Sequence, residues 1–170
     1  KSFIVKRSVA GRREKLAALI QLSRYIRYSL TEEKVSTWIA QREGRAKDGM
    51  DKTEPALLKM LALSKQKEQT FADAIRELNV VPVAISYEFD PLDAAKGMEL
   101  HEKQTEGSYE KDEHEDFLSI YNGIVGRKGA VHVAFGEPMT TNIDSADDMA
   151  AAVDRQVISN YHLHPTNFLA

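Results

Sequence analysis

Val80-Val81-Pro82-Val83-Ala84-Ile85-Ser86-Tyr87 is rich in β-branched residues and contains no charge. An uninterrupted apolar run of this kind reads as a strand buried on both faces, and strands buried on both faces belong to parallel sheets covered by helices. Pro82 has no N–H to give to a ladder, so it belongs at the entry of the strand. On this stretch the chain is expected to be an α/β protein with a largely parallel central sheet flanked by helices.

The flanking sequence supplies further elements. Phe3-Ile4-Val5 reads as a short strand that ends in Lys6-Arg7. From Arg13 to Tyr28, Leu16, Leu19, Ile20, Ser23 and Ile26 fall near one helical face, with Arg24 and Arg27 elsewhere on the cylinder. The β-prone stretch Val35 to Ala40, with Trp38 as a core residue, reads as a strand leading into a polar loop from Gln41 to Gly49. Asp51 and Glu54 have capping-box spacing and Pro55 suits a first helical turn, which predicts a helix over 54–63. Thr70 caps a further helix with Phe71, Ile75 and Leu78 inward and Asn79 at its end.

Beyond Tyr87, Asp90-Pro91 marks a helix start, and the acidic segment up to Asp116 is expected to be surface helix and loop. Phe117, Ile120 and Tyr121 suggest a short helix stopped by Asn122-Gly123. Alternation through Val131, Val133 and Phe135 predicts a strand, and Ser145 to Asp148 has capping-box form ahead of a closing helix. No internal repeat or low-complexity linker is visible.

Composition narrows the function classes. A chain of 170 residues with 42% hydrophobic residues suits one domain with a real core. Cysteine is absent, which removes disulfides, thiolate metal sites and a cysteine nucleophile and fits a cytoplasmic setting. The five histidines include one close pair, His162 and His164, so no metal site is expected. No apolar run approaches the ~20 residues that cross a bilayer, so membrane contact is expected to be peripheral. The formal charge of −3 conceals two opposed halves: residues 1–85 hold 17 Lys and Arg against 10 Asp and Glu, whereas residues 86–170 hold 6 against 16. An anionic ligand or anionic membrane surface should therefore meet the first half. Nucleic acid fits poorly, because no aromatic platform interleaves the basic residues.

Charge gathers at predicted strand ends in three places: Lys6-Arg7, the loop from Gln41 to Gly49, and Tyr87-Glu88. In open α/β sheets ligands collect outside strand ends. Lys6, Arg7, Arg42, Arg45 and Lys47 around one glycine could hold a phosphate through charge-assisted hydrogen bonds. Solvated charge is the alternative, and so is an ion pair in which Glu43 only orients Arg45.

The wording of these blocks resembles the glycerolipid acyltransferase family. Phe3-Ile4-Val5-Lys6-Arg7-Ser8 is similar to the block in which a hydrophobic strand ends in an arginine that contacts the acceptor's phosphate. Glu43-Gly44-Arg45 is similar to the Glu-Gly-x-Arg block, although here glycine and arginine are adjacent. Val80 to Ser86 resembles the Pro-containing hydrophobic block, and Val131 to Pro138 resembles the late strand ending in Phe-Gly-Glu-Pro. The four occur in the family's order.

The resemblance implies an incomplete glycerolipid acyltransferase fold, with residues 1–170 as the carboxy-terminal part of one acyltransferase domain. The family's His-x-x-x-x-Asp block is not in this chain. The opening at Lys1 straight into Phe3-Ile4-Val5 reads as a strand cut from its preceding connection. His101 and His132 have Glu106 and Glu137 at the corresponding spacing, but both follow the phosphate blocks, and ordinary surface and sheet roles are expected for them.

The implied activity is transfer of an acyl chain from acyl-CoA or acyl-carrier protein to glycerol-3-phosphate or lysophosphatidic acid, with no cofactor. Lys6, Arg7, Glu43, Gly44 and Arg45 would bind the acceptor; no catalytic residue is expected here, so the chain alone should be inactive. A non-catalytic lipid- or acyl-carrier-binding module is the alternative, and an unrelated phosphate-binding protein a third.

Overall fold

A computed structural model describes residues 10–42, 49–50, 52–108, 115–141 and 143–168. Among these, the order is α1 (Arg12–Thr31), α2 (Pro55–Leu61) with a 3-10 turn at Ala62–Ser64, α3 (Phe71–Leu78), β1 (Val83–Tyr87), α4 (Asp93–Glu106), α5 (Glu115–Val125), β2 (Val131–Phe135), α6 (Ala146–Ser159) and a 3-10 turn at Pro165–Phe168.

Helices dominate, and their local signals are those in the sequence. Thr70 forms a complete capping box with Asp73, and Asn79 takes the left-handed conformation that ends α3. Ser145 Oγ accepts from the Asp148 N–H at the start of α6. At α2 the cap is Glu54 itself, its carboxylate accepting from the Ala56 N–H with Pro55 in the first turn.

The core lies between helices. Ile26 of α1, Leu58 and Leu61 of α2, Ile75 and Leu78 of α3, and Met149 and Val153 of α6 form one buried cluster, closed by Met139 and Ile143 from the segment before α6. Ser23, 1% exposed, ties α1 to the end of α2: its hydroxyl bonds the Leu61 carbonyl at 3.0 Å and accepts from the Ser64 N–H at 3.0 Å. Such satisfied polar contacts add direction to a cluster that hydrophobic burial alone would leave free to slide.

Among the described residues the expected parallel central sheet is not present. The described residues contain a two-stranded antiparallel sheet, with Val83 opposite Phe135, Ile85 opposite Val133 and Tyr87 opposite Val131. Its position explains the misreading. β1 buries only its small side chains, Ala84 and Ser86, on the side that meets α6, whereas Ile85 and Tyr87 are each 38% exposed. The run is apolar on both faces but covered on one, and an uncharged sequence cannot distinguish those cases. Pro82 does sit just before the strand, its carbonyl accepting from the Gly136 N–H at 2.8 Å.

Two other expectations are corrected. Residues 35–40 form no strand, and Trp38 is 63% exposed instead of core. Lys34 adopts φ +56° and the Val35 N–H bonds the Ser29 carbonyl, so the chain folds back over the end of α1, and among the described residues no strand pairs with it. α5 continues through Asn122-Gly123 and stops at Gly126, where a Cβ would lie 2.4 Å from Pro91 Cβ. A side chain at Gly126 would clash with Pro91, so the residue just past the helix has to be glycine. The Phe3-Ile4-Val5 strand lies outside the described residues.

Candidate functional site

All five predicted acceptor-binding residues, Lys6, Arg7, Glu43, Gly44 and Arg45, lie outside the described residues, as does Lys47. What the structure describes is the frame from which the loop after Gln41 springs. The Glu54 N–H donates to the Gln41 carbonyl at 2.9 Å, so the loop leaves and rejoins the fold at one point. Immediately before Glu54, buried Thr53 is clamped to α6: its N–H and hydroxyl both donate to Asp154 Oδ1, at 2.8 and 2.6 Å. Packing of α2 against α6 continues the clamp, and Leu58 of α2 shares the buried cluster with Met149 and Val153 of α6.

Within the closed span the sequence places Arg42, Arg45, Lys47 and Lys52 together with Gly44 and Gly49. Gly49 takes φ +74°, a conformation that side-chain-bearing residues rarely adopt.

Elsewhere the structure reassigns some candidates. Arg27, which the sequence places away from the apolar face of its helix, is a tie between helices: its guanidinium meets Glu77 at 2.5 Å, Gln69 Oε1 at 3.2 Å and the Ser64 carbonyl at 3.4 Å. It is a positioning residue with its fork already used. Tyr28 is exposed. His101 is exposed on α4. On the capping box of α3, hydrogen bonds from Thr70, and then the charge of Arg76, hold the Asp73 carboxyl below the ordinary carboxylate range.

His132 belongs to a group that spacing did not reveal. Its ring lies 4.8 Å from that of His162, which in turn lies 4.6 Å from that of His164. The His162 N–H donates to Ser86 Oγ, tying the C-terminal segment to the sheet. His164 is 7% exposed, and its Nε2 finds no hydrogen-bond partner among the described residues. The three rings do not form a metal centre: among the described residues no group of three His, Cys, Asp or Glu side chains is arranged to hold an ion. Because His132 and His162 are 30 positions apart, only the folding of β2 against the C-terminal segment brings them together.

The late block Phe135-Gly136-Glu137-Pro138 borders an open groove of about 550 Å³ between residues 137–141 and α6, with Arg155 as the cation in its lining. Gln156 of α6 holds this block through the Glu137 N–H at 2.7 Å and the Glu137 carbonyl at 3.2 Å. The block thus turns the chain from the strand into the core.

No model of a protein family, no curated protein and no solved structure matches the chain. Among the described residues no helix is long and apolar enough to cross a membrane.

Proposed function

We propose that the chain binds the phosphate of a phosphorylated glycerol, glycerol-3-phosphate or lysophosphatidic acid, as the acceptor side of an acyltransferase whose donor is acyl-CoA or acyl-carrier protein. The observation that carries this is the bond from the Glu54 N–H to the Gln41 carbonyl, because it closes at its base a loop holding Arg42, Arg45, Lys47 and Lys52. The order of the four sequence blocks supports the choice of ligand, and the basic balance of residues 1–85 supports an anionic partner, including an anionic membrane surface. The parallel sheet forms no part of the proposal.

Arg7 and Arg45 would pair with phosphate oxygens and Lys6 would add charge, while Gly44 would let the backbone approach and Glu43 would orient Arg45. Their contribution to acyl transfer would be proximity: the acceptor hydroxyl is held at one place and one orientation. The general base and the carboxylate that orients it, which the resemblance assigns to a His-x-x-x-x-Asp block, are not among these 170 residues.

Calorimetric titration of the chain with glycerol-3-phosphate and with glycerol tests the proposal. The phosphorylated compound should bind and glycerol should not. Arg7→Ala and Arg45→Ala should each weaken binding by roughly ten- to a hundredfold, the equivalent of a lost charge-assisted bond of ~1.5–3 kcal/mol. Equal affinity in both folded variants would reject the clamp.

A further inference from the structure

Among the described residues β2 is the more exposed strand of a two-stranded sheet, and its sequence lacks the features that normally stop an edge strand from pairing. Val131-His132-Val133-Ala134-Phe135 contains no charge and no proline, and every residue but Ala134 is exposed. Lysine, proline, a bulge or a covering segment would ordinarily protect such an edge. The register also gathers apolar side chains on one face, in the cross-strand pairs Val83 with Phe135, Ile85 with Val133 and Tyr87 with Val131. From Ile85 and Tyr87 at 38% to Phe135 at 72%, much of that face is open to water. Two strands alone make a marginal sheet, and a contiguous apolar face of this kind marks an interaction surface.

We propose that the edge of β2 facing away from β1, which has no partner among the described residues, pairs antiparallel with β2 of a second copy of this chain, about a two-fold axis near Val133, to give a continuous four-stranded sheet. Charge at the strand ends favours this arrangement. Arg127-Lys128 precedes β2 and Glu137 follows it, so an antiparallel two-fold sets the cationic end of one copy beside Glu137 of the other, twice. Parallel pairing would set like charges together.

Pairing through the edge satisfies the main-chain groups that β2 turns away from β1 and sets the two apolar faces side by side as one larger face. Apolar α5 leads into β2 through residues 126–130, with Phe117, Ile120 and Ile124 each at least 60% exposed. An anionic bilayer is a poorer occupant, because residues 86–170 carry 16 acidic against 6 basic side chains.

Sedimentation velocity of the whole chain over a wide concentration range reads the outcome. A monomer–dimer equilibrium is expected, and Val133→Lys, at an exposed position, should weaken it by at least ~tenfold. Glu137→Lys and Lys128→Glu should each weaken the dimer by roughly fivefold, and the double swap should restore most of the loss. Circular dichroism establishes that each variant is folded. A chain that stays monomeric at every concentration overturns the proposal, as does a dimer indifferent to Val133→Lys and to the charge swap. Binding of monomers to neutral phosphatidylcholine vesicles that Val133→Lys abolishes would also overturn it, in favour of a lipid surface.

Discussion

Asp154→Ala removes the clamp between the candidate loop and α6, and its cost follows from the geometry. Asp154 Oδ1 accepts two hydrogen bonds from Thr53, which is 5% exposed, and water has little access to replace them. Bonds to a charged acceptor contribute ~1.5–3 kcal/mol each, and leaving a buried donor unpaired costs ~1–3 kcal/mol. Because both bonds share one oxygen of a half-buried carboxylate, about 3 kcal/mol for the pair is the expected loss. For a chain of this size that lowers the melting temperature by roughly 6–12 °C.

Asp154→Asn keeps an oxygen that can accept from both donors and should lose only about 1 kcal/mol, the charge assistance. Thermal melts of the two variants, with amide exchange at residues 52–54, give the comparison. Exchange there should quicken in the alanine variant and hardly change in the asparagine variant. Glycerol-3-phosphate affinity should fall in the same order, since ordering the loop then draws on binding energy. An alanine variant that melts with the wild type, or an asparagine variant as unstable as the alanine one, would refute the clamp.

Asp73→Asn should destabilise α3 at neutral pH. The folded carboxyl titrates below its ordinary value, so the stabilisation is present above the unfolded pKa, and the gap to wild type should close as pH falls through the lowered folded value in acid unfolding curves. Ile75→Ala, at a site with no solvent exposure, should cost ~2–5 kcal/mol in denaturant titrations. The isolated chain should transfer no acyl group from acyl-CoA to lysophosphatidic acid, and turnover above the blank by these residues alone would place the general base within them. Co-sedimentation with vesicles should need anionic lipid and weaken as salt rises, because a basic patch is screened; equal binding to neutral vesicles at high salt would exclude it.

Local chemistry carried the helices into view. Thr70 with Asp73, Pro55 after Glu54, and Ser145 before Asp148 act through hydrogen bonds to backbone only a few residues away, so the sequence alone suffices to place α3, α2 and α6. The spacing of Ile75 and Leu78 located their buried face for the same reason. The charge division between the halves is likewise a property of the chain, and so are the cations of the loop after Gln41. Partners distant in sequence were beyond such signals. Whether Ile85 and Tyr87 face a second layer or water depends on what packs against β1, and β2, which pairs with it, begins more than 40 residues later. The clamp between Thr53 and Asp154 spans 101 positions, and the meeting of His132 with His162 depends on the same closure of distant segments. Capping energies act within one turn of backbone, whereas strand direction, sheet burial and the anchoring of a loop are decided by contacts that exist only once the helices have packed.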